Sequence, residues 1–152
     1  MLLFVIKSAL SAFFACLCYS FIFNVKGKNI WIAGLIGAIG GLCYKMIIYF
    51  DGSELFANFI GVIALSFLSE IFARKCKTPV TTFLGISLIP LVPGAGMYQT
   101  MLRAIHGNAT QALQQGLSTI SIAGVLAFGV LLVSTIMRLY YYEKKKIKEN
   151  FN

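Results

Sequence analysis

The stretch Ile89-Pro90-Leu91-Val92-Pro93-Gly94-Ala95-Gly96-Met97-Tyr98 lies in the middle of an uncharged run from Thr78 to Leu102. A helix cannot pass through it undisturbed. Pro90 and Pro93 lack the N–H groups that would bond the carbonyls of Ile86 and Ile89, and Gly94 and Gly96 add backbone freedom at the same place. Those two carbonyls are expected to face inward without partners. If the helix restarts near Ala95, the N–H groups of Gly94 to Met97 form the positive end of a half-helix, which suits a carboxylate. Such breaks survive in lipid only when buried in protein or lining a polar cavity. A proline kink that merely bends a packed helix is the equal alternative on these residues alone.

What surrounds the break is apolar. Of 152 residues, 59% are hydrophobic and 12% charged, where a soluble domain carries about a quarter charged. A soluble globular fold is excluded. Mean hydropathy is +0.83, and it comes from five segments, Leu2 to Phe23, Ile30 to Phe50, Leu55 to Ala73, Thr78 to Leu102 and Leu117 to Met137. Each is long enough to cross a hydrocarbon core that needs about 20 apolar residues. The expected fold is an all-α integral membrane protein of about five transmembrane helices, the fourth broken at the PxxPG segment. A re-entrant pair of half-helices in place of that fourth span is the alternative.

The net charge of +8 sits between the apolar runs rather than on a folded face, so it reads as a topology signal and not as a nucleic-acid surface. Lys26 and Lys28 mark the first connector, Asp51 and Glu54 the second, and Arg74, Lys75 and Lys77 the third. With the positive side cytoplasmic, ten of the thirteen bases fall inside, and Lys7, Lys45 and Arg103 lie toward the outer half. The expectation is a multi-pass plasma-membrane protein, N-terminus outside and C-terminus cytoplasmic. Residues 1–138 form its transmembrane domain, and residues 139–152 a basic cytoplasmic tail entered through Tyr140, Tyr141 and Tyr142 as an interface anchor touching membrane lipids. Lys7 lies inside the first run rather than before it, which favours a retained span over a signal peptide.

Intramembrane ionisable groups are the remaining candidates. Glu70 precedes Arg74 by four residues, so an ion pair on one helical face competes with a coupling role. Lys45 could snorkel or project into a cavity; Arg103 needs only to snorkel. Cys16, Cys18, Cys43 and Cys76 form no CxxC pair, and His106 stands alone, so neither a metal site nor a cofactor is expected. Catalytic residues are not expected either, since there is no GxSxG, HExxH or P-loop. Gly34, Gly37, Gly40 and Gly41 on the second span, and Thr119, Ala123 and Ala127 on the last, are ridges for close helix packing, within this chain or against another.

The PxxPG segment followed by Tyr98 resembles the signature of the threonine/serine exporter family, and of its small (YjjB-like) subunit in particular. Phe23-Asn24-Val25 and the run Ala33 to Gly41 followed by Lys45 agree, with Lys26 where a proline is expected. The resemblance implies an exporter split over two polypeptides, a larger polytopic partner supplying the other half. It also implies export of threonine and serine, or of dicarboxylates such as succinate, driven by the proton-motive force. On this reading Pro90, Pro93, Gly94 and Gly96 shape a substrate site, Tyr98 bounds it, Lys45 attracts the carboxylate, and Glu70 is the coupling candidate. Five short-looped spans enclose little on their own, so a partner or self-association is expected. A structural subunit with no substrate site of its own is the rival reading.

Overall fold

The apolar runs become helices whose ends are set by residues that can leave helical geometry. The computed structural model describes the backbone of residues 2–150. It holds α1 (Leu2–Ile22), α2 (Asn29–Tyr49), α3 (Glu54–Lys75), α4 (Val80–Leu88), a 3₁₀ turn (Ile89–Leu91), α5 (Gly94–Ile105) and α6 (Ala109–Asn150). Asn24, Asp51 and Lys77, one in each of the first three connectors, adopt positive φ values of 53°, 55° and 52°, the left-handed geometry that stops a helix. Ser53 then starts α3 by accepting a hydrogen bond from the Phe56 amide.

The first four helices form a bundle with α2 against α1, α3 and α4. The glycine ridge on α2 makes this possible from within the chain. A Cβ on Gly34 would meet Phe13 and Leu17, one on Gly37 would meet Cys16, one on Gly41 would meet Ala12, and one on Gly40 would meet Leu65 and the Gly61 carbonyl. The two helix faces of the ridge therefore serve two neighbours. Cys16, Ile36, Leu65, Phe83 and Ile86 fill the space between them and are fully buried.

At the PxxPG segment the chain bends by 50°. A bend of that size leaves α5 advancing in the direction α4 set, which fits the expected broken fourth span. Among the described residues four helices are long and apolar enough to cross a membrane, five when the bent pair is taken as one. The two halves have different neighbours: α4 packs on α2 and α3, whereas α5 packs on α6. Gly107, at φ 77°, turns the chain from α5 into α6. Helix α6 then runs back past the break to α3, where Gly129 sits against Val62 and Phe59 stacks on Phe128 with 6.2 Å between ring centres.

Helix α6 has 42 residues, or about 63 Å at 1.5 Å per residue. It starts eight residues before the expected span at Leu117 and passes Arg138 without a break. Gln111, Gln114 and Gln115 lower the hydropathy of the first turns but are good helix formers, which is why polarity there did not end the helix. At the other end of the bundle Glu70, 6% exposed, forms the expected ion pair with Arg74. The Arg74 guanidinium also lies 4.0 Å from the centre of the Tyr141 ring, which ties the last turns of α6 to α3.

Candidate functional site

The break does not leave the carbonyls that the prolines alone would suggest. Ile86 O receives the Ile89 amide and the Cys16 thiol at 3.5 Å, and Ile89 O receives the Val92 amide at 3.2 Å. Tightening to a 3₁₀ turn lets both carbonyls find donors one residue earlier than an α-helix would. The unmet groups lie further along. Pro93, at φ −76° and ψ 55°, forms an inverse γ-turn in which the Gly94 amide bonds Val92 O at 2.7 Å. Among the described residues, Pro90 O and Leu91 O accept no backbone N–H, and the amides of Ala95 and Gly96 find no carbonyl.

These groups border a cavity of about 610 Å³, within the range of roughly 300–1,000 Å³ usual for small-molecule sites. Its wall includes the whole run Pro90 to Gly96 and side chains from every long helix: Ser8 and Ser11 of α1, Tyr44 and Lys45 of α2, Glu54 and Asn58 of α3, Gln115 and Ser118 of α6. Leu91, near its floor, packs against Gly61, seven residues into α3 and so about 10 Å from the start of that helix. The cavity thus runs from the Glu54 end of the bundle down to the break.

The structure brings Pro90, Pro93, Gly94, Gly96 and Lys45 together on this wall. Tyr98 is not with them. It is 67% exposed on α5 and does not line the cavity, because it lies two residues, about 200° around the helix, from Gly96 and Thr100, which meet Thr119 and Gly116 of α6. Glu70 also lies elsewhere, at the Arg74 end of α3. Gly96 has a second duty, since a Cβ there would come within 2.6 Å of Thr119 Oγ1; it holds α5 close to α6. Of the other small residues in that ridge, Ala123 and Ala127 are exposed.

Tyr44, Glu54 and Asn58 were not singled out by the sequence reading, although a signal was present. The four-residue connector 50–53 joins antiparallel helices, so positions equidistant from it share a depth. Lys45 lies four residues before the end of α2, and Asn58 four after the start of α3. Tyr44 and Glu54 line the same cavity as Lys45. Asn58, 3% exposed, donates Nδ2 to Glu54 O at 2.9 Å, which leaves Oδ1 as the acceptor end of its amide. The cavity is therefore lined by a cation and N–H donors and also by a carboxylate and oxygen acceptors.

The model of the family described as Threonine/Serine exporter, ThrE, matches residues 8–136. A curated relative, an uncharacterized protein of Haemophilus influenzae, is 22% identical over 137 residues, covering 85% of this chain and 45% of its own length. The chain spans about half the length of the curated relative it matches. No solved structure matches it.

Proposed function

Because the chain belongs to the threonine/serine exporter family, we propose that it is the membrane subunit of a secondary exporter of small carboxylate-bearing metabolites, threonine and serine first among them. The observation that carries this reading is the pair of unmet amides at Ala95 and Gly96 on the wall of a cavity that Lys45 also lines. Two N–H donors at a helix N-terminus and an ammonium group are suited to a carboxylate. In the proposed complex a larger polytopic partner supplies the rest of the path. The 45% coverage of the bacterial relative supports that division, since a whole carrier of that length would hold further spans.

Export is proposed to draw on the proton-motive force, with Glu70 as the coupling carboxylate. It is a buried intramembrane carboxylate paired with Arg74, the kind of group that marks ion pathways in membrane proteins. The charge pattern of the connectors supports an outward N-terminus and a cytoplasmic C-terminus, and on that reading the Glu54 end of the cavity faces outward. Single cysteines introduced into a chain lacking its native four check this. A label that cannot cross the membrane should reach position 52 in intact cells and fail to reach position 146. Reaction at position 146 from outside overturns the orientation.

Lys45→Ala tests the site. It should lower export of labelled threonine at least tenfold with the chain at its normal level, the order expected for losing one hydrogen-bonded charge. Lys45→Arg should retain part of the activity. The rival reading, an assembly subunit without a site, expects Lys45→Ala to export normally wherever the partner is present at its usual level.

A further inference from the structure

Resting on the carboxylate reading just given, we propose that Glu54 and Asn58, with the carbonyls of Pro90 and Leu91, seat an ammonium group, so that the cavity selects zwitterionic amino acids over dicarboxylates. The cavity holds charges of both signs: Lys45 on α2 and Glu54 on α3. A dicarboxylate bound to Lys45 and the α5 amides would bring its second anion toward Glu54, an arrangement that rejects it. An α-ammonium group in the same place meets one carboxylate and up to three neutral acceptors.

Those acceptors are available for reasons of backbone geometry. Pro90 O and Leu91 O have no backbone donor among the described residues, and both residues line the cavity. They are the C-terminal carbonyls of a half-helix, where the dipole favours a cation. The amide nitrogen of Asn58 is already committed to Glu54 O. The break therefore presents acceptors from its first half and donors from its second, a polarity matched to a molecule with an ammonium group beside a carboxylate.

A lesser role for Glu54 is to stabilise the first turn of α3, where it sits. That role affects stability and leaves substrate preference untouched. The test uses inside-out vesicles from cells that make the native exporter, measuring uptake of labelled L-threonine and labelled succinate above the background of cells lacking this chain. Wild-type uptake of threonine should be blocked by serine and unaffected by succinate or N-acetylthreonine. Glu54→Gln should cut threonine uptake at least tenfold at sub-saturating concentration and raise the succinate-to-threonine ratio at least tenfold, while Glu54→Asp keeps the wild-type preference.

An unchanged ratio in Glu54→Gln, with the chain at its normal level, overturns the ammonium seat, as does wild-type uptake that N-acetylthreonine blocks as well as serine. Lys45→Ala separates this from the reading beneath it. Loss of threonine uptake in that variant, with the chain at its normal level, upholds the carboxylate site whatever Glu54 does. Wild-type vesicles that take up neither label overturn the exporter reading and the seat together.

Discussion

Gly94→Leu is expected to abolish export while leaving the chain in the membrane at its normal level. Gly94 is the first residue of α5 and lines the cavity, and a Cβ built on it meets nothing within 4 Å. Its φ lies outside the left-handed region, which only Gly27 and Gly107 occupy among the described glycines, so a side chain there brings no backbone strain. A leucine side chain would extend into the space beside the Ala95 and Gly96 amides and displace whatever they bind. Gly96→Ala is the contrasting control. Its methyl group would press on Thr119 Oγ1, which is held in place by its own bond to Gln115 O at 2.7 Å. Crowding of this kind costs about 1–3 kcal/mol, so Gly96→Ala should lower the amount of folded chain, a loss that Gly94→Leu does not show. Export of labelled threonine, divided by chain level on an immunoblot, distinguishes the two. Normal export by Gly94→Leu would remove the break from the substrate path.

The spans were legible because each is an apolar run closed by residues that leave helical geometry readily, such as Asn24 and the Asp51-Gly52 pair. The place of the break was legible for the same reason: two prolines and two glycines within seven residues admit no continuous helix. What the prolines do to hydrogen bonding was not. Pro90 removes a donor for Ile86 O, but a local 3₁₀ turn and a thiol from α1 replace it, and the thiol depends on a helix 70 residues away. The unmet carbonyls are therefore those of Pro90 and Leu91, whereas the unmet amides, Ala95 and Gly96, fall within the Gly94 to Met97 run read from the sequence.

The acidic side of the cavity was hidden for another reason. Glu54 and Asn58 look like an ordinary helix start, and only the pairing of α2 with α3 across a four-residue connector sets them beside Lys45. The start of α6 was missed because window hydropathy falls over Gln111 to Gln115, although helix formation there depends on propensity and on packing against α5, not on apolar content. Glu70 and Arg74 needed no tertiary information, since a spacing of four on one helix places them side by side.

Gly37→Ala should destabilise the bundle, and Cys16→Ala should restore it. The added Cβ at position 37 falls well inside contact distance of Cys16 Sγ, with Ser87 Cα behind it at 3.7 Å. Cys16 has no room to retreat: it is 0% exposed and its thiol bonds Ile86 O. The conflict therefore costs on the order of 1–3 kcal/mol, visible as a lower unfolding midpoint of the detergent-solubilised chain. Removing Sγ leaves only the Cys16 Cβ, 3.4 Å from the new methyl, a distance the helices can absorb by a few tenths of an ångström. The double variant should then be more stable than Gly37→Ala alone, a coupling that arises only if the two residues touch. A double variant no more stable than the single one would mean that α1 and α2 do not meet at this point. The result bears on the cavity as well, because the same junction of α1, α2 and α4 holds Ile86 and Ser87 in place, three residues before the chain leaves helical geometry. If the junction loosens, the break loses its fixed depth, and Gly37→Ala should lower export per folded chain as well as the amount of folded chain, with Cys16→Ala recovering both.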